Sequence, residues 1–283
     1  MQDKPSISLS VAVVCYNSPV GQIQNLIHSL LDSIEKLKQQ VVLEPVPVYL
    51  TDNSKKSTFS MELFRDKKAR LAANDTEIIL IHGHGNIGYG SGHNLILRKL
   101  ESEFHLILNP DVVLDIDVFI RGINFLLGNS KVLIASPYAI DESGVKQYLC
   151  KSYPSVFTFL IRGFFPEPIK KLFRKRLARF EMHDLSEQVA STDIPIVSGC
   201  FMLSRTDKLR EEGGFDERYF LYFEDFDLSL RMGRLGKLAY VPSMKIIHGG
   251  GHAAGKGLKH LRMFSRSGQR FFNAHGWRLF HQA

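Results

Sequence analysis

The stretch Ile7-Ser8-Leu9-Ser10-Val11-Ala12-Val13-Val14-Cys15, stopped by Tyr16-Asn17-Ser18-Pro19, decides the fold. A β-branched, almost continuously apolar run of this length reads as a strand covered on both faces, as in parallel sheets. Immediately after it, Ile23, Leu26, Ile27, Leu30, Leu31 and Ile34 recur at helical spacing and predict an amphipathic helix over 20–38. The alternation continues outward. Residues 46–51, 77–81, 104–108 and 132–135 read as strands, 118–127 as a helix, and the glycine-rich loop 83–92 leads into a helix near His93. Strands separated by helices imply right-handed crossovers and a mostly parallel central sheet flanked by helices. The second half is less regular: strands are expected over 194–204, 237–241 and 245–247, and helices over 224–235 and 256–275.

Bulk properties agree with a folded α/β chain. Of its 283 residues, 44% are hydrophobic and 23% charged, which excludes disorder over most of the length. We expect one domain over 1–283, with a nucleotide-binding half at 1–130 and an acceptor half at 131–283. The formal charge of +7 suits an anionic ligand or a membrane surface, and RNA or DNA binding has no motif beyond that charge. No apolar run is long enough to span a bilayer. The early apolar run ends at a turn and reads as a strand, not as a signal peptide. The odd set Cys15, Cys150 and Cys200 has no metal-ligand spacing, and each thiol sits in an apolar stretch. Buried free cysteines in a reducing compartment are expected, hence a cytoplasmic protein, soluble or attached to the inner face of the membrane.

In a parallel sheet ligands gather at the carboxyl ends of strands, so the polar residues there carry the chemistry. Asp52 in Thr51-Asp52-Asn53-Ser54 can accept from a base N–H or a ribose hydroxyl, although Asp-Asn-Ser is also a strong turn sequence. The loop Gly83-His84-Gly85-Asn86-Ile87-Gly88-Tyr89-Gly90-Ser91-Gly92 permits close backbone approach to phosphate, with Asn86 and Asn94 placed to hold its ends. It matches neither the dinucleotide fingerprint nor a P-loop. Asn109-Pro110-Asp111 closes a strand with a carboxylate that can take Mg²⁺ or Mn²⁺ shared with a diphosphate. Asp115 and Asp117 are expected to cap the next helix. His248, ahead of Gly249-Gly250-Gly251, is a candidate to complete that metal site. Finally, Glu224-Asp225-Phe226-Asp227 follows the aromatic run Tyr219-Phe220-Leu221-Tyr222-Phe223 at a helix start. Aromatic walls raise carboxylate basicity, and a hydroxyl nucleophile needs such a base. Asp225 is expected to fill that role, and Asp227 to pair with Arg231 one turn on.

The ordered set of these motifs resembles the GT-A-fold (Rossmann-like) glycosyltransferases of family 2, in particular their rhamnosyltransferase-like branch. The matching stretches include Val13-Val14-Cys15-Tyr16-Asn17, Thr51-Asp52-Asn53-Ser54, Asn86-Ile87-Gly88-Tyr89-Gly90, Asn109-Pro110-Asp111, Ser198-Gly199-Cys200-Phe201-Met202, Gly213-Gly214-Phe215-Asp216-Glu217, 220–231 and Ile247-His248-Gly249-Gly250. They run over nearly the whole chain. The resemblance implies an inverting transferase that moves a sugar, with rhamnose indicated by the branch, from a nucleoside-diphosphate-sugar to an acceptor hydroxyl. The setting is bacterial cell-surface polysaccharide or lipopolysaccharide synthesis. It implies a dTDP- or UDP-linked donor, a saccharide or lipid-linked saccharide acceptor, and Mg²⁺ or Mn²⁺. Cys15, Tyr16, Asn17, Asp52, Asn86, Gly88, Asn94, Asn109 and Asp111 would lie on the donor side. Asp111 and His248 would hold metal, Gly199 and Cys200 would line the acceptor side, and Glu224 would orient the acceptor for Asp225. The family's DxD motif is here Asn109-Pro110-Asp111, with a single acid, a form found in the rhamnosyltransferase-like branch.

The segment 155–181 matches no family motif. Leu172, Phe173, Leu177 and Phe180 fall near one stripe of an expected helix over 169–182, among Lys170, Lys171, Arg174, Lys175, Arg176 and Arg179. That pattern fits either an anionic bilayer or a core-packed helix with a solvated basic face. Two other functions are consistent with parts of the sequence. A sugar nucleotidyltransferase would share the strand–helix half, but Tyr16-Asn17-Ser18-Pro19 stands where its glycine- and lysine-rich loop belongs. A non-catalytic sugar or nucleotide binder would release no nucleoside diphosphate.

Overall fold

A computed structural model describes residues 4–57, 59–249 and 258–280. The opening strand, β1 (Leu9–Cys15), is buried at all seven positions. It lies between β2 (Val46–Asp52) and β4 (Phe104–Leu108), and β3 (Thr76–Ile81) pairs with β2; all three pairings are parallel. Beyond β4 the sheet continues with chain from the second half. β7 (Phe201–Arg205) runs antiparallel between β4 and β6 (Val132–Ile140), β8 (Lys237–His248) is parallel to β6, and β5 (Val112–Leu114) closes the edge against β8. The spatial order is therefore β3-β2-β1-β4-β7-β6-β8-β5, with Lys146–Gln147 pairing beside β6.

The pleat sends alternate residues of each strand to two cores. On one face Leu9, Val11 and Val13 meet Ile23, Leu26 and Leu30 of α1 (Val20–Lys38) and Phe119 and Ile123 of α3 (Val118–Gly128). On the other, Ala12, Ile107 and Met202 meet Ile96 and Leu97 of α2 (Tyr89–Leu97) and Leu228 and Met232 of α7 (Glu224–Leu235). A third, aromatic cluster joins Phe159 of α4 (Val156–Phe164), Phe223, and Phe271 and Phe272 of α8 (Leu258–His275).

Several boundaries differ from expectation, each for a physical reason. The helix expected near His93 begins at Tyr89, because Gly90 and Gly92 pack against Phe215 and Val14 and burial outweighs their weak helix propensity. The strand expected over 194–204 is two, Ile196–Val197 and β7, separated by Ser198-Gly199-Cys200. The two strands expected over 237–247 are one, whose register shifts between Val241 and Lys245 to absorb Pro242. The helix expected over 169–182 breaks at Phe173 into α5 (Glu167–Leu172) and α6 (Arg174–Phe180). Asp117 stands at the start of α3 without a side-chain cap; instead its own N–H donates to Asp115 Oδ1. Residues 256–257 of the expected last helix, and Gly250 and Gly251, lie outside the described residues. Cys15, Cys150 and Cys200 are buried and free, as expected, and no described helix is long and apolar enough to cross a membrane.

Candidate active site

Three separated stretches meet at Gly199 and Cys200. The Gly199 N–H donates to Asp225 Oδ2 (3.0 Å), and its carbonyl accepts from the Tyr89 hydroxyl (2.6 Å). A Cβ at this position would stand 3.2 Å from the Tyr89 ring and 3.3 Å from Asp225 Cβ, so any larger residue would have to push one of them aside. The next residue, Cys200, accepts the N–H of Asn109 on its carbonyl (2.9 Å), which brings Asn109-Pro110-Asp111 to the same place.

The two carboxylates at the start of α7 are buried, and they differ. Asp225 also accepts the Phe226 N–H at Oδ1 (2.9 Å), so both its oxygens hold backbone donors. Glu224 has an oxygen, Oε2, with no hydrogen-bond partner among the described residues. Burial and then the neighbouring Asp225 charge push the Glu224 carboxyl up to about 8, and burial raises Asp225 as well. Two backbone donors favour the charge on Asp225, and burial favours the proton on Glu224 near neutral pH. In the unfolded chain Glu224 titrates near 4.5. Its raised folded value gives stability that is complete below that pH and is lost as pH rises toward 8. Glu224→Gln should thus be as stable as the parent near pH 4.5 and increasingly more stable than it as pH rises toward 8. Urea unfolding of both proteins across that range measures it; a gap that does not widen with pH overturns the protonation assignment.

A strained turn aims these carboxylates. Tyr222 and Phe223 both adopt left-handed backbone, φ 70° and 66°, at a cost of roughly 1–2 kcal/mol each. What holds them comes from α8. Ser267 Oγ donates to the Leu221 carbonyl (2.8 Å), the Tyr222 hydroxyl bonds His260 Nδ1 (2.9 Å), and Phe223 packs on Gly268 and Phe271. Asp227 faces away from the site. It accepts from Arg231 and from His275 (both 2.7 Å), so the expected Arg231 pairing holds and a second anchor of α8 joins it.

On the donor side, Asp52 is buried and accepts the Ser54 N–H on Oδ1 (2.9 Å), the expected turn. Its Oδ2 has no hydrogen-bond partner among the described residues, an orphaned buried acceptor at a strand end. Tyr16 stands exposed beside it, and the Asn17 N–H donates to Ser54 Oγ. Asn86 Oδ1 accepts the Gly88 N–H, and the Gly88 carbonyl accepts from Asn53 Nδ2 (2.8 Å), which fastens the glycine loop to β2. Three residues named for the donor or acceptor side are engaged in packing or bracing. Cys15 is buried with its thiol pushed up to about 12 by burial, and Cys200 is likewise buried. Asn94 spends its amide on both backbone groups of Phe215, which makes it a brace between α2 and the 213–217 loop.

Asp111 and His248 lie together at the ends of β4 and β8, with His248 Nε2 3.5 Å from Asp111 Oδ1. Gln147 orients the imidazole. Its Oε1 accepts from Nδ1 (2.6 Å), and its Nε2 donates to the His248 carbonyl (3.0 Å). That fixes the ring with Nε2 turned toward the Asp111 carboxylate. Among the described residues no group of three or more His, Cys, Asp or Glu gathers into a metal cage. The pair fits a cation that takes its remaining ligands from a diphosphate, as Mg²⁺ and Mn²⁺ do. Sequence reasoning missed Tyr89, Asn53 and Gln147. The first two sit inside quoted motifs, whereas Gln147 carries no local signal.

Comparison with known proteins bears on the fold and the relatives of this chain. No family model matches the chain. It is 27% identical over 275 residues to N-acetylglucosaminyl-diphospho-decaprenol L-rhamnosyltransferase of Mycobacterium tuberculosis, covering 88% of this chain and 78% of the relative. It is 25% identical over 173 residues to rhamnosyltransferase WbbL of Escherichia coli, covering 58% and 61%. Among solved structures, GalNAc-T7 with UDP, GalNAc and Mn²⁺ superposes with TM-score 0.61 at 14% identity, over 95% of this chain and 51% of that one. The mannosyltransferase PcManGT from Pyrobaculum calidifontis with GDP-Man and Mn²⁺ gives 0.56 at 13%, over 89% and 61%. The chain thus spans between half and two thirds of these solved chains, with which it shares the fold.

Proposed function

We propose that this chain, a glycosyltransferase of the GT-A fold similar to the rhamnosyltransferase-like branch of family 2, inverts the anomeric centre of the sugar it transfers, with Asp225 as general base. The observation that carries this reading is the meeting, at Gly199 and Cys200, of Asp225 and the Asn109-Pro110-Asp111 strand end, with the buried Glu224 next to Asp225 in the chain. Asp225 takes the acceptor hydroxyl proton as that oxygen attacks the anomeric carbon, and the nucleoside diphosphate leaves from the opposite face. Glu224, as a neutral acid, donates a hydrogen bond that orients the acceptor. Tyr89 and Gly199 hold Asp225 in line. Asp52 accepts from the nucleoside, and Tyr16 covers it. Asp111 and His248 would hold Mg²⁺ or Mn²⁺, which when bound neutralises charge on the departing diphosphate.

The name of the mycobacterial relative suggests the substrates we infer here, a rhamnosyl donor and a lipid-diphosphate-linked N-acetylglucosamine acceptor; the nucleotide we assign to the donor, dTDP or UDP, follows from the family resemblance. The work is done at the cytoplasmic face of a membrane, within cell-surface polysaccharide synthesis. The test has two parts. Incubation with dTDP-rhamnose, a lipid-diphosphate N-acetylglucosamine and Mn²⁺ should release dTDP only as glycosylated lipid appears; no product with any dTDP- or UDP-sugar rejects the reading. In thermal denaturation dTDP should raise Tm, and Mn²⁺ should add a further increment. Asp111→Ala should abolish that increment and leave the metal-free shift; an unchanged Mn²⁺ increment removes Asp111 from the metal site.

A further inference from the structure

We infer that α5, the outer side of α4 and the residues after α8 form one surface that seats this enzyme on an anionic lipid bilayer. The inference rests on the transferase reading only for its purpose, and the geometry stands without it. The chain that follows α8 returns to α4. The carbonyls of Arg278 and Leu279 accept the Val156 and Phe157 N–H groups (2.9 and 3.3 Å), so this tail satisfies the open donors of the first turn of α4. The rings of Phe173 and Phe280 both pack on Phe157, at 5.4 and 5.5 Å between centroids. Around that joint, large apolar side chains face outward: Leu172 is 79% exposed, Phe280 64%, Leu279 60% and Leu160 44%. Single exposed apolar residues are ordinary; a patch assembled from three elements marks an interaction surface.

Charge selects the occupant. Between Glu167 and Glu181 the chain carries six cations and no acid. Arg176 turns inward to Thr158 Oγ1 and Ser155 Oγ, and Lys170 pairs with Glu167. Lys171, Arg174 and Lys175 remain exposed beside Leu172. An apolar patch edged by cations matches an anionic headgroup layer over acyl chains. A protein groove would instead have to bring acids to meet those charges. Phe180, expected on the lipid-facing stripe, is buried in the aromatic cluster and anchors α6 to the body. Phe159, next to the outward Leu160, packs on Phe223 (5.0 Å), directly before Glu224 and Asp225. The surface therefore lies one helix away from the carboxylates, where an acceptor held by its lipid tail would be delivered.

Vesicle co-sedimentation of the whole chain tests this. Phosphatidylcholine vesicles containing about one third phosphatidylglycerol should retain the protein, pure phosphatidylcholine much less, and high salt should release it. A cation near such a surface contributes about fivefold in affinity, so Lys171→Glu/Arg174→Glu/Lys175→Glu should bind at least about tenfold more weakly. Leu172→Ser/Phe280→Ser should also lose retention while keeping the parent's Tm. Both variants should glycosylate a water-soluble acceptor at the parent rate and a vesicle-borne acceptor slowly. Retention equal to the parent in both variants, or no retention of the parent, overturns the surface. So does a patch that proves to be covered by a second copy in sedimentation equilibrium. Retention without any transfer would reject the enzymatic reading and leave the surface standing.

Discussion

Asp225→Asn should lower kcat by about 10²–10⁴-fold, the range supplied by a positioned general base, which corresponds to roughly 3–5 kcal/mol of transition-state stabilisation. The substitution is nearly isosteric, and its side-chain oxygen can still accept the Gly199 N–H. It forfeits the Phe226 donor, because an amide nitrogen cannot accept. The fold and the donor site should survive, so the Tm increment produced by dTDP should match the parent's. Burial raises the parent's Asp225, so the acid limb of its pH–rate profile should sit above the ordinary aspartate range, and the variant should lose that limb. A kcat within tenfold of the parent, with the limb retained, would remove Asp225 from the chemistry. A lost dTDP increment would instead make it a structural residue.

Gly88→Ala should be the most damaging change outside the carboxylates. Gly88 has φ +96° and ψ 167°, a region essentially confined to glycine. A Cβ there would stand 2.4 Å from the Phe220 carbonyl oxygen. That same oxygen accepts the Tyr89 N–H (3.2 Å), so relief of the clash pulls apart the contact that holds the glycine loop against the turn before α7. We expect a loss of about 3–5 kcal/mol, seen as a fall in Tm of roughly 8–15 °C, together with a fall in kcat as Tyr89 slackens on Gly199. Gly85→Ala supplies the control. It too has positive φ, 71°, but nothing lies within 4 Å of its Cβ, so only about 1 kcal/mol of backbone strain is expected. Equal melting points for the two variants would show that the contact with Phe220 does not matter.

The contrast between these two glycines shows what the sequence made legible. Both sit in one glycine-rich loop and look alike there, and only the approach of residue 220 separates them. Local patterns are readable when their cause is local. The helix Val20–Lys38 was expected at its true bounds because its apolar spacing is its own. The start of α7 was legible because three acids after an aromatic run favour a helix N-terminus. The start of α2 was not, since the contacts that hold Tyr89-Gly90-Ser91-Gly92 in the helix come from Phe215 and Val14. Asp225 and Asp111 announced themselves by residue type at strand and helix ends. Tyr89 and Gln147 act through partners 110 and 101 residues away, so no window of sequence contains their roles. The break at Phe173 had neither proline nor glycine to signal it; its ring docks on Phe157, and the backbone follows.

The left-handed pair Tyr222–Phe223 has one more consequence, which concerns the order in which the chain is made. Every carboxylate of the site, from Asp52 to Asp225, leaves the ribosome before the first residue of α8. Yet four of the groups that hold the pair in its strained form, His260, Ser267, Gly268 and Phe271, belong to that helix. A nascent chain that has completed its sheet thus carries the reactive acids without their aim. The carboxylates at the start of α7 gain their fixed direction only when α8 folds back over the turn, so the aim of the site is set after the framework of the sheet.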